Sequence, residues 1–333
     1  MNPAAASVTK SRARSPITAF TSSWASQIGI SVAFVALWLA FILGAPDTFL
    51  QDRIYLAFAQ TIPYFAIVAL FLTMVIVAGD IDLSFVSIMS LSLVGFVFTW
   101  QATGSVELGV LACLVSGALC GLFNGLVVTF IGIPSLVVTI GTQFLFQGLT
   151  LVLVNGKSYP LVDTSSSIAY GLLAGKIGTI PIPFFWLMAL AVVAWALLNR
   201  HRLGQNAYVI GDNSQAAQLM GIPIRRTRIT LFVLTGLASA LAALMNAFSL
   251  NNFYPNLGQG YLLPTLAAVF VGGTSVFGGR GTIYGTLLGA FMIGTIQAGI
   301  VAVGMSGFYL QVVYGSIILV AVSIHAVLQR RFE

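Results

Sequence analysis

Ten stretches of about twenty apolar residues run through this chain, joined by short polar links. They fall near 28–46, 56–78, 84–101, 107–130, 136–154, 181–199, 228–250, 262–277, 282–303 and 308–328. A run of that length suits a helix crossing a bilayer, because a helix satisfies its own backbone hydrogen bonds where water is absent. The eighth run is short and interrupted by glycine. Charge decides the class. Only 7% of the 333 residues are charged, 58% are hydrophobic, and the mean hydropathy is +1.00. A water-facing surface needs about 25% charged residues. The expected fold is therefore an all-α polytopic membrane protein of about ten transmembrane helices. A single domain, 28–328, lies between an N-terminal tail, 1–27, and a C-terminal tail, 329–333. The basic stretch holding Lys10, Arg12 and Arg14 precedes the first apolar run without a convincing cleavage site after it, so that run reads as an uncleaved first span.

The net charge of +6 is spent on orientation rather than on nucleic acid. With the N-terminus inside, the inner segments hold Lys10, Arg12, Arg14, Arg200, Arg202, Arg225, Arg226, Arg228, Arg280, Arg330 and Arg331. The outer segments hold only Arg53, Lys157 and Lys176. Positive residues concentrate on the cytoplasmic side, so both termini are expected there, as is the loop 200–227. The longest outer segment, 155–180, reads as a lid or re-entrant piece. Its "NGKS" lacks the glycine that a phosphate-binding loop needs five positions before Gly156, where Leu151 stands.

Glycines recur every fourth residue at Gly117, Gly121 and Gly125, and again at Gly281, Gly285 and Gly289. That spacing lines one helix face and lets a neighbouring backbone come close, which is plain helix packing unless the face slides. Ten spans divide into two fives of opposite orientation, which permits a 5+5 inverted repeat, although the ladders themselves do not support one. Cys113 and Cys120 are too far apart on one helix to bridge. His201 and His325 stand apart from cysteines and carboxylate clusters, so no metal site is expected.

Within the cytoplasmic loop, "GDNSQAAQLMGIP" is soluble in character and fenced at both ends. Asp212 is placed to cap a helix beginning at Asn213, with Gln215 completing a capping box. Ala216, Ala217, Leu219 and Met220 offer a small apolar face, Gly221 suits the left-handed position after a helix, and Pro223 prevents resumption. A helix that short needs a surface to pack on. It is a connector, an interfacial segment, or a foot that docks into a groove on a cytoplasmic partner; docking suits the fences best.

The same region, "HRLGQNAYVIGDNSQAAQLMGIPIRRTRITLFVLTGLASALAALM", resembles the signature region of the permease subunits of bacterial sugar ABC importers, those for ribose, xylose, arabinose and galactose. Gly204, Tyr208, Gly211, Asn213, Ala216, Ala217, Gly221 and Ile222 match the pattern; Val209 and Asp212 depart from it. "AGDIDLSFVSIMSLS", "NGLVVTFIGIPSLVVTIGT" and "LAAVFVGGTSVFGGRGTIYGTLLGA" are similar to three further family segments, in the family's order, from the second span to the ninth. The resemblance implies an inner-membrane permease without its own ATPase site. It implies a separate ATP-binding subunit that holds ATP and Mg, a periplasmic sugar-binding protein, and a second permease copy or paralogue. It also implies that Asp212 to Met220 is the coupling helix.

Asp80 and Asp82 are the carboxylates nearest the apolar boundary and fall between the second and third spans. Asp82 is placed to cap the third span; contact with the motor subunit or a gate, and proton coupling, are the other readings. Tyr64, Asn124, Gln143, Phe144, Gln147, Asn246 and Gln297 are polar or aromatic residues deep in spans, candidates for a substrate path and equally for hydrogen bonds between helices. The rival to an ATP-driven importer is an ion-gradient-driven secondary sugar transporter, which needs an intramembrane carboxylate or an unwound ion site.

Overall fold

A computed structural model describes residues 16–302 and 304–330. The first fifteen residues and the last three, including Lys10, Arg12, Arg14 and Arg331, lie outside the described residues, so the side of either terminus stays an expectation from charge.

The chain is helical almost throughout. α1 (Pro16–Gly44) is followed by the single turn α2 (Pro46–Phe49), then α3 (Asp52–Val77), α4 (Phe85–Thr103), α5 (Val106–Leu126) and α6 (Ser135–Val154). A π turn, Val127–Ile131, extends α5. After the segment expected outside, with α7 (Ile168–Ala174), come α8 (Ile182–Asn199), the pair α9 (Arg202–Asp212) and α10 (Ser214–Leu219) expected in the cytoplasm, and then α11 (Ile224–Ser249), α12 (Leu262–Val271), α13 (Ile283–Ala302) and α14 (Phe308–Arg330); the words outer and cytoplasmic follow that expectation from charge throughout. Among the described residues eight helices are long and apolar enough to cross a membrane, and two apolar stretches, Gln259–Val271 and Phe308–Ser323, are shorter.

The eighth expected span, 262–277, is corrected to ten of its sixteen residues. α12 stops at Val271, ten residues or about 15 Å, against a hydrocarbon core of about 30 Å. Gly272 and Gly273 end it, Gly273 at φ +84°, and the chain turns back through Gly278 and Gly279, both at positive φ, before α13 begins. Before α12 the chain descends from the outer end of α11 to pack Gly258 against the backbone of Val86, at the start of α4. Such irregular backbone survives at membrane depth because it is enclosed by protein.

Five of the six ladder glycines hold backbones together, whereas Gly281 lies before α13 and faces the side chains of Thr274 and Val77. A Cβ on Gly117 would lie 2.6 Å from the Gly236 carbonyl oxygen, and one on Gly125 2.9 Å from Ile229 Cα, so α5 lies directly on α11. Gly285 and Gly289 face the backbone of Gly272 and Ala268 in the same way, joining α13 to α12. The packing pairs repeat between halves. α4 lies on α5, α6 and α11, while α12 lies on α13, α14 and α3; α5 lies on α11, and α13 on α3. Corresponding helices run in opposite directions, as a 5+5 inverted repeat requires. The outermost helices depart from it, since α1 packs on α13 and α8 on α3.

The outer segment is tied down rather than loose. β1 (Tyr159–Pro160) pairs antiparallel with β4 (Asn252–Phe253), and β2 (Lys176–Ile177) with β3 (Ile180–Pro181). Tyr159 stacks on Phe253, and Tyr170 packs on Phe248.

Candidate functional site: an outer cavity and a cytoplasmic junction

A cavity of about 550 Å³ opens where α3, α11, α12, α13 and α14 converge in the outer half of the molecule. Helical spacing brings its side chains to one wall each: Gln60, Thr61 and Tyr64 from α3, Asn246 and Ser249 from α11, Gln311 and Tyr314 from α14. Gln297 of α13 joins them, with Tyr254, Gln259 and Tyr261 from the segment that leads into α12. Among the described residues no charged side chain lines it. Asn246 Nδ2 donates to Tyr261 Oη at 2.7 Å, and Gln60 Nε2 to Ser249 Oγ at 3.1 Å. Tyr64 and Tyr261 meet edge to face at 6.5 Å. Among the described residues the buried hydroxyls of Tyr64 and Tyr314 make no hydrogen bond of good geometry, although Ser249 lies beside Tyr64. A buried hydroxyl left unmet costs roughly 1–3 kcal/mol, so these two are set to meet a polar guest.

Three of the seven expected path residues, Tyr64, Asn246 and Gln297, therefore line the cavity. The other four do not, because α5 and α6, which carry them, contribute nothing to the lining. Phe144 is 72% exposed on the outside of α6. Gln147 Nε2 donates to Pro255 O and Asn256 Oδ1, at 3.1 and 2.8 Å, pinning the descending segment. Asn124 is buried under α4, its Nδ2 donating to Ser84 Oγ at 2.7 Å, and Gln143 is half-buried away from the cavity. Sequence reasoning missed Gln60, Gln311 and Tyr314. Their signal was an amide and a tyrosine three or four residues apart near the outer end of a span, at Gln60/Tyr64 and Gln311/Tyr314.

At the other end of the molecule, α9 was not foreseen: the sequence suggested one short helix, and there are two. Gly204, Ala207 and Ile210 bury one face of α9, and His201 Nδ1 accepts from Leu203 N at 3.1 Å at its start. Asp212 is thereby the last residue of α9, and the cap of α10 passes to Asn213, whose Oδ1 accepts from Gln215 N and Ala216 N at 3.0 and 2.9 Å. Gly221 takes φ +73° just beyond. The residues expected to dock on a partner divide. Ala217 is fully buried within the chain, and Gly211 is pressed on the Val77 carbonyl, so neither can reach a partner. Gln215 and Met220 are exposed, and Leu219 is 90% exposed, an unusual state for a leucine at a water-facing tip.

The link Ala78–Ser84 lies beside this pair. Asp80 Oδ2 is 2.8 Å from Arg228 Nε, an ion pair whose N–H is not aimed along the line between them. Burial pushes the Asp80 carboxyl upward, and Arg228 pulls against it. Asp82 is fully buried and does not cap α4 directly. Its Oδ1 accepts from Ser84 N and Oγ at 2.9 and 2.6 Å, and Ser84 occupies the cap position. Burial pushes Asp82 up to about 6, against those bonds. Both carboxylates are outside the cavity lining.

Apolar helices around a cavity lined by amides, hydroxyls and apolar faces, with arginines gathered at one end, define a multi-pass membrane permease of the inner membrane. The chain belongs to the family described as "Branched-chain amino acid transport system / permease component", which matches residues 54–322. Its relatives include the autoinducer 2 import system permease protein LsrD of Salmonella typhi, 31% identical over 90% of each chain. Those of Yersinia enterocolitica and Photorhabdus luminescens are each 33% identical over 77% of this chain and 78% of theirs. No solved structure matches significantly. The chain is thus a transport component of an importer.

Proposed function

We propose that this permease carries a small neutral sugar-like molecule inward, driven by ATP hydrolysed on a separate subunit. The cavity carries the reading. It offers amides and hydroxyls in number, aromatic faces and two unmet phenols, and among the described residues no charged side chain lines it. An amino acid, as the family's description names, would bring a carboxylate and an ammonium into a site with nothing to neutralise either, which is costly. A polyol asks only for hydrogen bonds and apolar ring faces. The cargo named for the relatives, autoinducer 2, is the first candidate.

The motor is external in this reading. ATP and Mg belong to an ATP-binding subunit that meets α10. A periplasmic binding protein delivers the cargo, and a second permease copy or a paralogue completes the pore. A gradient-driven secondary transporter has less support, since the two buried carboxylates are remote from the cavity and one is already paired.

The test is uptake into proteoliposomes holding the complete complex. Uptake should stop when ATP is removed and persist with an uncoupler, and excess leucine should not compete. Tyr64→Phe should raise KM about fivefold, the equivalent of one lost hydrogen bond of about 1 kcal/mol. Competition by leucine, or uptake that fails with the uncoupler, would sink the proposal.

A further inference from the structure

One short helix has the cavity at one end and the cytoplasmic pair at the other. The chain entering α12 carries Tyr261, a cavity wall residue, and α12 itself supplies Pro264. Ten residues later α12 runs into the turn holding Gly278 and Gly279. There three stretches of backbone meet with no side chain between them. Gly279 N donates to Val77 O at 2.9 Å. A Cβ on Gly278 would lie 2.9 Å from both Gly79 Cα and Gly211 O, and one on Gly279 would lie 3.2 Å from Asp212 Cα. Tyr208 Oη, on α9, adds a bond to Gly281 O at 2.7 Å. The Asp80–Arg228 pair fastens the same knot to α11, whose far end carries Asn246 and Ser249 into the cavity.

Side-chain contacts absorb displacement by changing rotamer; backbone pressed on backbone has no such slack. A shift of α9 and α10 must therefore move the turn below α12. We propose that α12 is the rod by which the cytoplasmic pair moves the cavity wall, and that the Gly79–Gly211–Gly278–Gly279 knot, secured by Asp80 and Arg228, is where the movement is handed over. This rests on the ATP-driven reading above and adds the route through the chain. Asp80 is then a positioning residue, acting through the link it holds.

The test uses the complete complex in nanodiscs, with Gly260→Cys as reporter. Gly260 lines the cavity and has open space where a side chain would go. Cys113 is buried, and Cys120 is replaced by serine to silence it. The labelling rate by a charged maleimide is compared without nucleotide and with ATP trapped by vanadate. The parent should change about fivefold or more. The isosteric Asp80→Asn should assemble and still hydrolyse ATP, yet change less than about twofold, while Arg228→Lys, which keeps the charge, should retain the response. A parent that responds beside an Asp80→Asn variant that responds equally overturns the rod and leaves the ATP-driven reading intact. A parent that does not respond overturns both.

Discussion

The outer cavity and the cytoplasmic junction are built on opposite rules. The cavity is made of side chains from five helices, with a gap between them and two hydroxyls unmet. The junction is made largely of backbone, with glycines at its closest contacts. A site that must release its cargo gains from loose, replaceable contacts, since strong binding would hold the cargo in place. A joint that must pass on movement gains from contacts that cannot give. The two regions should therefore respond differently to substitution: by degrees at the cavity, and all at once wherever backbones touch.

Gly285→Leu is the severest break. Its Cβ would collide with the Gly272 carbonyl, and both atoms belong to backbones that the rest of the packing holds in place. Overpacking a tight core costs about 1–3 kcal/mol and more where nothing can yield. The yield of folded protein, read by size-exclusion chromatography in detergent, should fall about tenfold or more. Gly148→Leu is the matching control, on a face of α6 with nothing within 4 Å, and should leave the yield unchanged. Equal yields from the two variants would mean that close backbone approach does not set tolerance here.

α10 holds a similar contrast within one turn. Ala217 is fully buried and Leu219 is 90% exposed, though the two are only two residues apart. Leu219→Arg should weaken capture of the ATP-binding subunit about tenfold, as loss of an apolar anchor does, with no change in the thermal stability of the isolated chain. Ala217→Arg should do the reverse first, lowering the melting temperature before any effect on capture is reached, because the arginine has to enter the chain's interior. If the two variants cannot be told apart by stability, α10 is not seated as described.

Much of the architecture was legible because the bilayer imposes a length on every span and a sign on every loop. The helices came from that constraint, and five of the six ladder glycines lie in helices against a neighbouring backbone, while Gly281 precedes α13. The length of α12 was not legible. Residues 262–277 are apolar enough to read as a span, and only the positive φ of Gly273 and the turn after it cut the helix short. The cavity was half legible. Tyr64, Asn246 and Gln297 drew attention as polar residues in spans, but so did Asn124 and Gln147, which bind helices and loops to each other. One sequence gives the polarity of a residue and not the neighbour it faces; α6 looks as much like a wall of the path as α14 does until the packing is known. The ion pair of Asp80 with Arg228 was hidden for the same reason, its partners being remote in sequence.

The finest distinction falls at the cap of α10. The sequence favours Asp212, a residue that caps helices as well as asparagine does. Its neighbour holds the post instead, because α9 runs through Asp212 and leaves only Asn213 with an extended backbone, at φ −156° and ψ 101°, from which a side chain can turn back to the first free N–H groups. Asn213→Ala should then cost about 1 kcal/mol of local stability, which in a helix of six residues is enough to matter. Amide exchange across Ser214–Leu219 should quicken about fivefold, with uptake per ATP falling by no more than that. Asn213→Asp keeps an acceptor at the same place and should exchange at nearly the parent rate. Asp212→Ala should change nothing in α10. Faster exchange in Asp212→Ala with normal exchange in Asn213→Ala would return the cap to the residue the sequence suggested, and would mean that α9 ends one residue earlier in solution.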